Sequence, residues 1–200
     1  MNSVITSGGG FSSSYPLPSF QRDAVAAYFI AAAAANHTPV TGYGNGRGYP
    51  DLTLSGVYYR IIVGGQWHLV AGTSATSPAL AGMFSSINAA RHNAGKGSIG
   101  WINPVLYSRG SAFVKDITSG KINCIWTRCC PEGFYAAKGW DPASGLGSIN
   151  YGNMEEVFVS LGTASAGFIR PTSYPTRSPT SKPTATPTYL PSRTDRKSVV

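Results

Sequence analysis

The residue best placed to do chemistry is Ser74, within Ala71-Gly72-Thr73-Ser74-Ala75-Thr76-Ser77-Pro78-Ala79-Leu80-Ala81-Gly82. There an apolar strand ends, a glycine turns the chain, and the serine opens a helix. First-turn N–H groups without helical partners, and the positive end of the helix dipole, favour negative charge beside the Ser74 oxygen. An attacking alkoxide, or the oxyanion it creates, would be stabilised at such a position. A simple helix N-cap is the plainer role for a lone Gly-x-Ser. The Gly-x-Ser-x-Gly elbow is excluded, because Thr76 stands where its second glycine belongs.

A serine hydroxyl is a poor nucleophile until a base takes its proton. Only two acids, Asp23 and Asp51, precede Ser74, and no Glu occurs before Glu132. The histidines are His37, His68 and His92. His68 lies six residues before the serine on the preceding strand, so its side chain is expected to point elsewhere. His92 falls ~27 Å along the helix at 1.5 Å per residue. His37 belongs to Asn36-His37-Thr38, a glycosylation sequon. Surface or packing roles are expected for all three.

A second constellation joins Asp116-Ile117 to Ala137-Lys138-Gly139-Trp140-Asp141. Two carboxylates flanked by glycines that expose backbone carbonyls suit a hard cation seeking six to eight oxygens. Spacing alone would equally describe two unrelated surface aspartates. Cys124, Cys129 and Cys130 lie between them. Their spacing fits no zinc pattern, and adjacent cysteines seldom pair with each other. A bridge from Cys124 to either Cys129 or Cys130 would fit an oxidising compartment.

These groups need a scaffold, and its elements are legible in part. Gly8 to Ser14 reads as a loop by composition. Asp23 to Ala35 is an alanine-rich helix stopped by Asn36 and Pro39. Thr41 to Asp51 carries loop signals. Val57–Val63, the Gly64-Gly65 turn and Trp67–Ala71 predict a hairpin. A helix should run from near Ser74 to about Arg91, with Pro78 confined to its first turn. Residues 111–152, rich in turn formers, predict an ordered loop region.

The chain has 200 residues, 42% hydrophobic and 12% aromatic, enough for a core. Its longest apolar stretch, Ala24 to Ala35, is too short for the ~20 residues of a membrane span. Met1 to Gly10 lacks both the basic residues and the apolar run of a signal peptide. The net charge of +8 divides into +3 for residues 1–162 and +5 for residues 163–200, so it describes no basic face and no nucleic-acid partner is expected. In the tail, Pro171, Pro175, Pro179, Pro183, Pro187 and Pro191 recur every four residues among Ser and Thr. That grammar predicts a disordered, extended Pro/Thr-rich stalk or linker over 163–200 following a folded body over 1–162.

The segment around Ser74 resembles the nucleophile motif of subtilisin-like peptidases, and above all of the sedolisin family, the serine-carboxyl peptidases that include tripeptidyl-peptidase I. Ser7-Gly8-Gly9-Gly10-Phe11-Ser12, Gly46-Arg47-Gly48-Tyr49-Pro50-Asp51 and Gly139-Trp140-Asp141-Pro142-Ala143-Ser144-Gly145-Leu146-Gly147 match the same family in order. The resemblance implies an α/β, subtilisin-like three-layer fold with a parallel sheet, of which this chain holds the C-terminal half. It implies Ser74 as acylating nucleophile on a peptide or protein substrate at acidic pH. It also implies a Glu base, an Asp four residues beyond it and an oxyanion Asp, none of which can be found here. One structural Ca2+ would be held by the Asp116 and Asp141 carboxylates and by carbonyls of Ile117, Ala137 and Gly139. Ala137 stands where the family often has Gly, which narrows the backbone angles but keeps the carbonyl. Asp51 matches a loop in which a carboxylate organises a turn. The alternative function is a catalytically inactive fragment or pseudo-peptidase acting as a calcium-stabilised display or interaction module. Sequon, cysteines and stalk point to an extracellular or lysosome/vacuole-like location. Half a sheet would also leave hydrophobic edges uncovered.

Overall fold

The computed structural model describes residues 7–37, 45–125 and 128–162. The chain divides into two units, Met1–Ser165 and Ala166–Val200, and the described residues fall in the first. The expected disordered tail over 163–200 lies outside the described residues. Four helices and eight strands alternate: β1 (Gly10–Pro16), α1 (Arg22–Ala34), β2 (Gly46–Tyr49), β3 (Tyr59–Val63), β4 (Gln66–Val70), α2 (Thr73–Asn93), α3 (Asn103–Arg109), β5 (Val114–Lys115), β6 (Lys121–Ile125), β7 (Arg128–Tyr135), β8 (Ser148–Ile149) and α4 (Tyr151–Ser160).

The α/β class is as expected, but the expected parallel sheet does not form among the described residues. The described strands form four separate two-stranded antiparallel sheets, β1–β2, β3–β4, β5–β8 and β6–β7. A single bridge, Thr53 to Ser148, is parallel. For the β3–β4 hairpin the reason lies in the connection. Strands joined by a turn as short as Gly64-Gly65 must run antiparallel, whereas parallel neighbours need a crossover of a dozen or more residues. Two predicted loops carry strands: β1 starts inside Gly8–Ser14 and runs on to Pro16, and β2 lies within Thr41–Asp51. Each finds its partner in the other, 30 to 39 residues away, which no local signal announces. Likewise, residues 111–152 contain β5 to β8.

Helix α2 begins at Thr73, as the sequence predicts, yet Pro78 is its sixth residue and not in its first turn. A proline there removes the N–H that would bond the Ser74 carbonyl. The Thr76 and Ser77 hydroxyls meanwhile donate to the Thr73 carbonyl at 2.8 and 3.1 Å, so side chains supplement the helical ladder around the proline.

Two cores hold the body together. In one, Trp140 packs edge-on against Phe11 and Tyr28, with Val25 and Ala32 of α1 behind them. The other gathers Ile87 of α2, Leu106 of α3, Phe113, and Met154 and Phe158 of α4. Two buried polar side chains show how the interior is satisfied. Arg91, buried on α2, donates to the carbonyls of Gly97, Phe158 and Leu161, meeting the negative end of α4 with its charge. Gln21, fully buried, gives its amide to the Gly48 carbonyl (2.8 Å) and accepts from the Gly48 N–H (2.9 Å), as a substitute strand would. Replacing Gln21 by Met keeps the volume but orphans the Gly48 N–H and leaves the Gly48 carbonyl with Arg47 as its side-chain donor. Urea unfolding of Gln21→Met should show a loss of about 2–3 kcal/mol, with the slope unchanged.

Candidate functional site

The strand-to-helix junction is built by Gly72. Its φ of 137° is open to glycine and strained for other residues. Its N–H donates to the Gly56 carbonyl at 2.7 Å, and its own carbonyl accepts from Ala75 N–H at 3.0 Å. This fixes Gly72 as the N-cap residue and Ser74 as the second residue of α2. Ser74 is therefore no N-cap. Its side chain is exposed and makes no hydrogen bond among the described residues. The hydroxyl is thus free and stands beside N–H groups that the helix itself leaves unpaired.

Next to the junction lies a cavity of about 300 Å³ whose walls include Leu52, Thr53, Leu54, Thr73, Ser77 and Leu80. Its far wall belongs to the Pro50–Leu54 segment, held in place by Asp51. The Asp51 carboxylate accepts two bonds from the Arg47 guanidinium (both 2.6 Å), one from Tyr107 Oη (2.8 Å) and one from Asn103 Nδ2 (3.1 Å). Its turn-organising role is as expected. Burial, reinforced by the Asp51 charge, pushes the Tyr107 phenol far above its ordinary range, so it stays a donor. Gln21, Arg47, Asn103 and Tyr107 were not singled out in the sequence as positioning groups. Only the i, i+4 spacing of Arg47 and Asp51 hinted at one of these contacts.

None of the histidines is bonded to Ser74. His37 stacks on Tyr135 at 3.8 Å, His68 faces Ile61 across the hairpin, and His92 Nε2 lies 3.2 Å from Ser98 Oγ. Asp23, the other acid preceding Ser74, lies exposed in the first turn of α1.

The segment 137–141 links the two aspartates of the second constellation. The Gly139 N–H donates to Asp116 Oδ2 (2.7 Å), and the Ala137 N–H donates to Asp141 Oδ2 (3.0 Å). Asp116 Oδ1 is buried with no hydrogen-bond partner, while Ile117 follows it in the chain. Asp141 is fully buried and heavily used. Its Oδ1 accepts from the N–H groups of Ala143 (2.9 Å) and Ser144 (2.8 Å), and the Ser144 hydroxyl lies 3.2 Å from both oxygens. Desolvation raises its pKa, opposed by the N–H donors of Ala137, Ser144 and Ala143. The Asp-x-x-Ser pattern carries the Ser144 contact in sequence, as an Asx turn. Among the described residues no three His, Cys, Asp or Glu side chains cluster as metal ligands. A cation here would have to draw on carbonyls. Of the two pairings left open for the cysteines, Cys124–Cys129 is the disulfide formed.

An α/β body with an exposed serine at the start of a glycine-capped helix fits the family resemblance of the sequence. Comparison with known proteins agrees. The chain is 39% identical over 170 residues to aorsin from Aspergillus oryzae, which takes in 78% of this chain and 24% of aorsin. It is 37% identical over 149 residues to tripeptidyl-peptidase 1 from Homo sapiens, covering 72% of this chain and 26% of that protein. The solved structure of Pseudomonas sedolisin, a serine-carboxyl proteinase complexed with two molecules of pseudo-iodotyrostatin, superposes with a TM-score of 0.57 at 26% identity. The match covers 78% of this chain and 37% of that one. No family model matches the chain. The chain belongs to the sedolisin family. It spans about a quarter of the length of the curated relatives it matches.

The turn that carries Asp141 closes against the Asp51 loop: Leu146 N–H donates to the Asp51 carbonyl at 2.8 Å. Gly145, at φ 65°, has no room for a side chain, since a Cβ would sit 2.5 Å from the Asp51 carbonyl group. Gly145→Ala should therefore cost more than about 1 kcal/mol by chemical denaturation, and should raise local amide exchange at residues 51–54.

Proposed function

We propose that this chain supplies the nucleophile of a sedolisin-type serine peptidase acting on peptide or protein substrates, with Ser74 as the attacking group. The observation that carries the reading is the exposed, unbonded Ser74 hydroxyl on a helix start that favours negative charge, in a chain of this family. In attack, the Ser74 oxygen would form the acyl bond to the substrate carbonyl while its proton passes to a base. The oxyanion would form next to the first-turn N–H groups of α2. Asp51 is engaged by Arg47, Tyr107 and Asn103, and Asp23 is on α1, so the base has to come from sequence outside the region described. A Glu/Asp pair as base, ionised above a pKa of about 4, fits work in acid, where a histidine would be protonated.

The test is a chimera in which the matched segment of aorsin is replaced by this chain's own. At pH 4–5 it should be labelled at Ser74 by a fluorophosphonate probe. Ser74→Ala should lose peptide hydrolysis by roughly a millionfold, as serine nucleophiles do when removed. The chain alone should neither cleave peptides nor be labelled. A chimera that hydrolyses peptides equally well with Ala at 74 sinks the reading.

The reading extends to one structural Ca2+ held by Asp116 and Asp141 with the carbonyls of Ile117, Ala137 and Gly139. The support is the buried Asp116 Oδ1, a carboxylate oxygen without a hydrogen-bond partner among the described residues. Because the Ser144 hydroxyl can donate to only one Asp141 oxygen at a time, Oδ2 also keeps a free lone pair. When bound, the ion supplies charge neutralisation and ties down a loop-rich region. Thermal unfolding of the full chain should shift upward with calcium, equivalent to about 2.7 kcal/mol at a hundredfold excess over Kd. Asp116→Asn should abolish the shift, and magnesium should reproduce little of it. The disulfide and the family together favour an extracellular or lysosome/vacuole-like compartment.

A further inference from the structure

Helix α1 ends on a motif that uses the backbone of Asn36 and leaves its side chain in solvent. Asn36 takes φ 55°, in the left-handed region. Its N–H donates to the Ala33 carbonyl at 3.1 Å, and the His37 N–H reaches back to the Ala32 carbonyl at 2.9 Å. This pair of bonds is a Schellman stop, in which Gly is the usual residue and Asn the next choice. The Asn36 side chain is exposed and makes no hydrogen bond among the described residues. His37 beside it is half-buried, its ring stacked on Tyr135 at 3.8 Å. The carboxamide thus has no part in the stop, which a glycine would form at lower cost.

A second observation concerns the outward side of the same helix. Beyond Asp23, α1 reads Ala-Val-Ala-Ala-Tyr-Phe-Ile-Ala-Ala-Ala-Ala, without a charged residue. Val25, Tyr28 and Ala32 are buried, so the outward side consists of alanines and of Ile30, which is 72% exposed. A surface helix ordinarily carries charged or polar residues there.

We propose that Asn36 is an N-glycosylation site and that its glycan covers the apolar outward side of α1. Asn36 is the only asparagine of the chain with Ser or Thr two positions on, here Thr38, and His37 rather than proline stands between them. The donor is a polyprenyl-pyrophosphate-linked oligosaccharide. The Asn36 Nδ2 bonds to its anomeric carbon as the bond from that carbon to the pyrophosphate oxygen breaks. The pyrophosphate departs with the electron pair, and Nδ2 releases one proton. Exposure of Asn36 leaves room for the bulky, solubilising product. Ile30 lies about 9 Å back along the helix at 1.5 Å per residue, a span that a branched oligosaccharide exceeds. Hydrated sugar over this stretch supplies the polar surface that its side chains lack. The inference rests on the oxidising compartment that the Cys124–Cys129 disulfide supports and is independent of Ser74.

The experiment sends the full chain into the secretory route of a yeast behind a cleavable leader, so the leader fixes the compartment. Chain from medium or cell extract is weighed before and after peptide-N-glycosidase, which leaves sugars on Ser and Thr in place. The parent should lose one N-glycan, with Asn36 converted to an aspartate in the peptide map. Backbone before a proline is restricted, so Pro39 should slow transfer to the nascent chain, and glycosylated and bare chains are expected together. Thr38→Ala should lose the glycan while Asn36 keeps its place at the helix stop, which separates the sugar from the fold. On warming, gel filtration should show Thr38→Ala losing monomer faster than lectin-purified glycosylated parent. Adding Ile30→Lys to that variant should recover the loss. A parent chain without any N-glycan overturns the proposal, whether or not Ser74 is reactive. Equal monomer loss with and without the glycan overturns the shielding.

Discussion

A buried carboxylate organises this molecule. Asp141 lies out of reach of solvent and keeps its place because the N–H groups of Ala137, Ala143 and Ser144 all point at it. That convergence bends residues 137–145 into a closed turn, with Asp141 and Gly145 exchanging both backbone bonds. The bend sends Trp140 into the first core, where its indole N–H reaches the Pro50 carbonyl at 2.8 Å. It also carries Leu146, which packs against both cores, onto the Asp51 loop. The two cores are thereby coupled through one turn. An uncompensated carboxylate at that depth would cost several kcal/mol, so the amide donors and the fold require each other.

From that turn the structure extends toward the serine by a chain of supports. Asp51 receives Arg47, Asn103 and Tyr107, and Tyr107 in turn receives the Gln21 amide at 2.6 Å. Pro50 and Leu52 on either side of Asp51 line the cavity whose opposite wall is the start of α2. The Asp51 carboxylate is thus spent on holding a wall. All four of its hydrogen bonds come from the side chains of Arg47, Asn103 and Tyr107, and none from Ser74. The chemistry of this chain is accordingly one-sided. It presents an exposed serine hydroxyl at a helix start, and among the described residues no carboxylate or histidine is bonded to it.

The hairpin shows the same one-sidedness in its packing. Apolar residues on both faces of a two-stranded ribbon contribute nothing while exposed, and exposed strand edges invite pairing. Trp67 and Leu69 lie on the strand that leads directly into the turn carrying Ser74.

What the sequence alone determined were the features written in consecutive residues. Helix α1, the Gly64-Gly65 hairpin and the glycine-to-helix junction at Ser74 all rest on local propensity and turn chemistry, and all are present within two residues of expectation. The Asp116–Asp141 pairing was legible only through motif resemblance, since their 25-residue separation carries no periodic signal. Tertiary structure decided the rest. The pairing of β1 with β2, that of β5 with β8, and the Gln21–Tyr107–Asp51 chain join residues from 30 to more than 80 positions apart. Such partners are chosen by which buried polar groups remain to be satisfied once the cores have formed, a condition that no window of neighbouring residues contains.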